Sequence, residues 1–117
     1  MVSVSGALKQ SILTALADDE MVKIMNLAKY SLKSVNDIIR EANIPHTTAY
    51  RKVKWLVESG LLAVDRIVIT PEGKRFSLFR STLKSVTVRY ENGEILVDAE
   101  RNFNQFARTA ERFFSLD

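Results

Sequence analysis

The chain has no cysteine, and it has only one histidine, two prolines and four glycines among its 117 residues. Without cysteine it can form no disulfide, no zinc–thiolate site and no thiol redox sensor. It also lacks an apolar run long enough to span a bilayer, and no signal peptide opens the sequence. We therefore expect a cytoplasmic protein that does not bind membranes.

Catalytic motifs are lacking as well. The one histidine, His46, lies in a basic segment with no carboxylate partner nearby in sequence, whereas general acid–base catalysis needs a positioned group with a tuned pKa. There is no Gly-rich phosphate loop, no nucleophile elbow and no paired histidine. We expect no enzyme activity, no catalytic residue, no cofactor and no metal site, although sites built from Asp and Glu remain open.

The composition that is present fits one globular domain over residues 1–117. Hydrophobic residues make up 46% of the chain and charged residues 26%, and this length suffices for one core but not for two. The net charge of +3 is compatible with an anionic partner but is too small to identify one.

Two short helices joined by a tight turn are predicted between residues 34 and 59. Ser34 and Asp37 have the spacing of a capping box, and the break at 43–45 contains a proline, which disfavours helix in the residue before it. In the second helix, 46–59, Ala49, Val53 and Leu56 share one face and are expected to be buried. Gly60 then ends it. A basic second helix after such a turn is typical of a helix-turn-helix.

The remaining face of helix 46–59 carries donors, acceptors and cations, which are the groups that contact phosphates and base edges. Arg51 is the candidate for guanine because its guanidinium matches O6 and N7. Two positions are open: Thr48 is either a contact or half-buried, and Lys52 faces either phosphate or water. The alternative for the whole face is a solvated surface. The predicted contacts on this helix are His46, Thr47, Thr48, Tyr50, Arg51, Lys52 and Lys54.

The segment from Ser34 to Leu62 resembles the winged helix-turn-helix of ArsR-like and, as second choice, MarR-like transcription regulators. The resemblance rests on Ile38, on the buried positions of helix 46–59, on the exit Glu58–Leu62, and on the sequence Val-Ile-Thr-Pro-Glu-Gly-Lys at 68–74. It covers roughly residues 19–80. It implies a recognition helix, 46–59, in the major groove and a wing, 62–80, on the DNA backbone or minor groove, with contacts from Arg66, Lys74 and Arg75. The chain departs from ArsR-like metal sensors because it has no Cys or His cluster.

The rest of the chain predicts an α+β fold, a winged helix-turn-helix with an extra C-terminal β-hairpin and a terminal helix. Helices are expected at 5–17 and 19–31, with a brief strand at 32–33. A strand with an irregularity near Asp65 and Arg66 should follow Gly60, and Thr70–Gly73 is a turn. Residues 70–83 also fit a helix that begins near Thr70 and carries an apolar face. We prefer the alternative, in which they turn and form the second strand of the wing hairpin. Alternating segments around Asn92-Gly93 predict a hairpin at 84–100, and residues 101–115 a closing helix.

We expect a homodimer that binds double-stranded DNA and regulates transcription, since a two-fold dimer lets one short helix read enough DNA. The alternative is a winged-helix module for protein–protein interaction in a transcription or replication assembly. No sequence motif identifies the operator or the effector, and the protein is either a repressor or an activator of transcription. The predicted dimer interface joins helix 5–17 to the closing helix and consists of Leu8, Ile12, Phe103, Phe106, Ala110, Phe113 and Phe114.

Overall fold

A computed structural model of the protein describes residues 1–102 and has a mixed α+β architecture. Within these residues there are four helices and two small antiparallel sheets. The helices are α1 (Gly6–Leu16), α2 (Asp19–Tyr30), α3 (Val35–Ala42) and α4 (His46–Glu58). The strands are β1 (Val2–Val4), β2 (Leu62–Ile69), β3 (Arg75–Ser81), β4 (Leu83–Glu91) and β5 (Glu94–Arg101).

The starts of α2 and α3 are fixed by side-chain caps. Asp18 accepts a hydrogen bond of 3.0 Å from the backbone amide of Met21. At α3 the predicted capping box is confirmed: Ser34 Oγ accepts from the Asp37 amide at 3.1 Å, and Asp37 Oδ2 accepts from the Ser34 amide at 2.9 Å. Asn43 ends α3 in the left-handed region, with φ of 54°, which asparagine tolerates better than most residues.

The helix α4 buries the face that the sequence predicts. Ala49, Val53 and Leu56 are all buried in a core shared with α1, α2, α3 and the strands. The helix begins after Pro45, and Gly60 follows its end with φ of 83°, a conformation that few other residues adopt. The spacing of apolar residues therefore gives the correct orientation of α4 about its axis.

The strands β2 and β3 form an antiparallel hairpin, which confirms the strand interpretation of residues 74–80 over the helical one. Ile69 pairs with Arg75, and the connection is closed by hydrogen bonds between Thr70 and Lys74. The register shifts between Val64 and Arg66, where the sequence predicts an irregularity. The predicted strand at 32–33 is reduced to a single bridge, in which Lys33 and Phe79 exchange backbone hydrogen bonds of 3.1 and 2.8 Å.

The second sheet has the order β1-β5-β4. The predicted hairpin is present, and Asn92 and Gly93 both have positive φ, as the tight turn between strands of this twist requires. The strand β1 was not predicted. Arg101 belongs to β5, so the predicted closing helix does not begin at 101. Its residues 103–115 lie outside the described residues.

One joint holds both sheets against the helices. Thr82, between β3 and β4, donates through Oγ1 to the carbonyl of Gly60 at 2.7 Å and through its amide to the carbonyl of Leu61 at 3.1 Å. Asn102 donates through Nδ2 to the carbonyls of Lys29 and Ser81, each at 2.9 Å. The exit of α4 and the ends of α2, β3 and β5 therefore meet at this joint.

Ile12 corrects one prediction about the dimer interface. Its side chain is only 2% exposed because it packs inside the core of its own chain, so it is not available to a partner. Leu8, one turn earlier on α1, is exposed. The other predicted interface residues, Phe103, Phe106, Ala110, Phe113 and Phe114, lie outside the described residues.

Candidate nucleic-acid interface

The exposed face of α4 holds most of the predicted contact residues together. His46, Thr47, Tyr50, Arg51 and Lys54 are exposed, and Thr48 is half-buried, the second of the two alternatives for it. The rings of His46 and Tyr50, one turn apart, lie with centroids 4.7 Å apart and planes tilted by 40°. Lys54 is 4.0 Å from Glu58, a loose surface pair that leaves the cation solvated. This face can offer one guanidinium, one ammonium and several hydroxyl groups to a ligand.

The start of α4 can bind an anion through its backbone. Pro45 is the N-cap residue and makes no side-chain capping bond. The first backbone amide that donates a hydrogen bond within the helix is that of Ala49, which donates to the Pro45 carbonyl at 2.9 Å. The amides of residues 46–48 therefore point out of the helix end. Free amides and the positive end of the helix dipole favour a negatively charged group there.

The prediction that Lys52 contacts DNA is wrong. Lys52 is 7% exposed, and its Nζ lies 2.7 Å from Asp18 Oδ2 and 2.8 Å from Glu20 Oε1, both at the start of α2. The hydrogen bond to Asp18, and next that to Glu20, raise the pKa of Lys52. The hydrogen bond from Lys52, and next that from the Met21 amide, lower the pKa of Asp18. Lys52 therefore joins α4 to α2 and fixes which face of α4 points outward.

The sequence contains a signal for this ion pair. Lys52 lies three residues after Ala49 and four before Leu56, which places it on the buried stripe rather than beside it. A lysine on a buried stripe needs a carboxylate partner, because a buried charge is stable only when it is paired. The acidic segment Asp18–Glu20 supplies two such partners.

The β2–β3 hairpin carries the remaining predicted contacts. Lys74 and Arg75 are exposed where the hairpin turns. Arg66 is exposed too, but its Nε is 3.3 Å from Asp65, which also lies 3.6 Å from Arg80 Nε. The half-buried Asp65 thus orients two guanidinium groups at the register shift. Arg80 was not predicted as part of the site, since its link to Asp65 depends on strand pairing across the hairpin.

A groove of about 510 Å³ separates α4 from the hairpin and brings the two sets of residues together. Cations stand on both sides, Lys54 from α4 and Arg75 from β3, and Tyr50 and Phe76 contribute aromatic rings. Asn36, exposed in the first turn of α3, also lines it, although no sequence pattern marks it as part of the site. Residues far apart in sequence therefore form one concave, partly basic surface.

No protein-family model matches the sequence, and a comparison with characterised proteins finds no significant match. In the part of the chain that the structure describes, no three His, Asp or Glu side chains are grouped as a metal ion requires. Every helix among residues 1–102 is too short or too polar to cross a membrane.

Proposed function

We propose that the protein is a sequence-specific DNA-binding transcription regulator of the winged helix-turn-helix type, similar to ArsR-like regulators, and that it acts as a homodimer in the cytoplasm without enzymatic activity. In this proposal α3 and α4 form the helix-turn-helix, α4 is the recognition helix, and the β2–β3 hairpin is the wing. The observation that carries the proposal is the exposed face of α4, where Arg51 stands between Thr47 and Lys54 while Ala49, Lys52 and Val53 hold the opposite face in the protein.

The chemistry of this face suits a DNA groove. Arg51 can donate two parallel hydrogen bonds to a guanine, which is the commonest specific contact in protein–DNA complexes. Thr47, Tyr50 and Lys54 have the groups that bind phosphate oxygens and fix the position of a protein on the duplex. The free amides at the start of α4 add a phosphate site that needs no side chain.

The hairpin extends the same surface. Lys74 and Arg75 at its turn and Arg66 on β2 are exposed, and in this proposal they contact backbone or minor groove beside the segment read by α4. The groove between α4 and the hairpin is lined by Arg75 on the hairpin side and by Lys54 with its loose partner Glu58 on the α4 side, so attraction of a phosphate backbone there rests mainly on Arg75.

Selection from random duplexes with the purified protein tests the proposal. We expect one enriched motif, and a dissociation constant for it that rises steeply with salt, since each neutralised phosphate releases counterions. A shuffled duplex of the same composition is the control and should bind more weakly. Failure to enrich any motif, together with binding that does not change with salt, would reject the proposal.

One observation favours the alternative, a winged-helix module for protein–protein interaction. Val64, Ile67 and Ile69 on β2 are exposed apolar side chains, and such a surface suits a protein partner better than phosphate. The duplex selection separates the two functions, because a module that docks on a protein through apolar contacts should enrich no DNA motif and show no specific, salt-dependent duplex binding.

A further inference from the structure

The strand β4 forms one edge of the sheet β1-β5-β4. It is nine residues long, contains no proline, and has its register shift at the base, between Leu83 and Ser85. Proteins usually protect a long edge strand with charged side chains, a proline, a bulge or a cover, because its unpaired amides and carbonyls attract another strand. The charged residues near the turn, Arg89 and Glu91, alternate with Val88 and therefore lie on the opposite face of the sheet. Among the described residues no strand pairs with the outer edge of β4.

The pairing of β4 with β5 defines which backbone groups point outward. The two-residue turn makes Glu91 and Glu94 the hydrogen-bonded pair next to it, and the direction of the backbone groups alternates from there. The amides and carbonyls of Val86, Val88 and Tyr90 therefore point away from β5. These are the groups that a second strand would meet.

The same three residues lie on the apolar face of the sheet. Val86 is opposite Ala99, Val88 opposite Val97, and Tyr90 opposite Ile95. Towards the turn this face is uncovered, with Val88 43% exposed and Tyr90 78% exposed. A strand added at this edge would lengthen an apolar surface that is already partly open to water.

We propose that β4 pairs antiparallel with β4 of a second copy of the chain, with the two-fold axis at Val88, and joins the two three-stranded sheets into one. This pairing would be the surface of the homodimer proposed above, and it therefore rests on that part of the proposed function. Isologous pairing makes the same strand serve both partners, as two-fold symmetry requires.

The sequence of β4 is self-complementary in this register. A two-fold axis at Arg89 would place like charges opposite each other, which destabilises a sheet, and an axis at Thr87 would set Leu83 against the carboxylate of Glu91. With the axis at Val88 the outward-pointing residues face one another and apolar side chains meet on one face. The facing pairs are Val88 with Val88, Val86 with Tyr90, Thr87 with Arg89, and Ser85 with Glu91.

The test compares two full-length variants by sedimentation over a range of concentrations. Val88→Pro removes the outward amide without removing a hydrogen bond to β5, whereas the nearly isosteric Val88→Thr keeps that amide. We expect the parent and Val88→Thr to be dimers at tens of micromolar and Val88→Pro to dimerise about tenfold more weakly or worse. A monomeric parent protein, or a dimer unaffected by the proline, would overturn the pairing.

Hydrogen exchange of the unmodified protein tests the same pairing without relying on a variant that has to fold. We expect the amides of Val86, Val88 and Tyr90 to exchange more slowly as the protein concentration rises. Fast exchange at every concentration, or protection that does not depend on concentration, would contradict a second copy at this edge.

Binding to the selected duplex separates this proposal from the proposed function. A monomer that still binds a specific duplex would overturn the pairing and the homodimer, and leave sequence-specific DNA binding standing. A dimer with slow exchange at β4 that selects no duplex would support the pairing while the function fails.

Discussion

Arg51 is the residue on which specific recognition most depends in the proposed function. We expect Arg51→Ala to lose about 1–3 kcal/mol of binding to the selected duplex and to relax sequence preference at one base, because a bidentate contact to guanine is removed. Titration of labelled duplexes measures the loss. Lys23→Ala, which removes an exposed cation from α2, is the matched control and should retain the sequence preference. Equal losses in the two variants would indicate a general charge effect and no reading by Arg51.

Lys52 is expected to act on stability, since it touches α2 and not the exposed face. Lys52→Met should lower the free energy of unfolding by about 1.5–3 kcal/mol, the usual contribution of hydrogen bonds to charged groups, because two carboxylates lose their partner. Lys54→Met, at an exposed pair 4.0 Å apart, should change it by less than about 1 kcal/mol. Urea unfolding of both variants measures the difference, and an equal effect of the two would contradict the role given to Lys52.

The lowered pKa of Asp18 gives this ion pair a pH dependence. A carboxyl group whose pKa is lower in the folded protein than in the unfolded chain stabilises the fold above its unfolded value, 3.8, and this contribution disappears as the pH falls through the folded pKa. The difference in stability between the parent and Lys52→Met should therefore be constant near neutral pH and shrink below about pH 4. A difference that stays unchanged at pH 3 would show that charge is not its cause.

The buried residues of α4 can be predicted from the sequence only in part. The buried stripe of α4 is predictable because 3.6 residues per turn bring Ala49, Val53 and Leu56 to one face. Lys52 lies on the same stripe, but its polarity suggested water or phosphate. The stripe indicates that Lys52 needs a carboxylate partner, but Asp18 and Glu20 lie more than thirty residues earlier, and a local pattern cannot show which acidic residues fold against it.

At the scale of elements, the packing of α4 into the protein should depend on Val53, which is buried in the core. Val53→Asp places a carboxylate without a partner in the core, and such a group costs several kcal/mol or shifts its pKa strongly. We expect the variant to be unfolded at room temperature by circular dichroism. Lys54→Asp places the same side chain one position later, on the exposed face, and should melt cooperatively near the parent temperature even though it changes the net charge by two units instead of one. A folded Val53→Asp protein would mean that α4 is oriented differently about its axis.

Elements with strong local signals were predictable, and elements defined by a partner were not. The capping box, the Asn92-Gly93 turn and the irregularity near Asp65 each follow from a few adjacent residues. The strand β1 has only three residues, too few for alternation to be recognised, and it exists because β5 offers an edge to Val2–Val4. Arg101 was assigned to a helix from the apolar spacing that follows it, although its pairing with Leu83 keeps it in β5.

At the scale of the whole molecule, two surfaces are candidates for self-association. The sequence predicts one that includes Leu8 and aromatic residues beyond Asn102, and the described structure points to the edge of β4. The two surfaces predict different oligomeric states for a chain that is truncated after Asn102. An end after Asn102 keeps the side-chain hydrogen bonds to Lys29 and Ser81, so the joint between the sheets and the helices stays closed.

We expect the chain ending at Asn102 to melt cooperatively and to remain dimeric at tens of micromolar, because β4 and its outward amides are intact. Sedimentation measures the state, and Val88→Pro in the same truncated chain is the control that should yield monomers. If truncation alone gives monomers, residues 103–117 hold the dimer, as the sequence predicts, and the edge of β4 does not. Either dimer carries two copies of α4. The monomeric form should therefore bind a duplex with one half-site as well as the dimer does, and lose only the added affinity for two half-sites on one duplex.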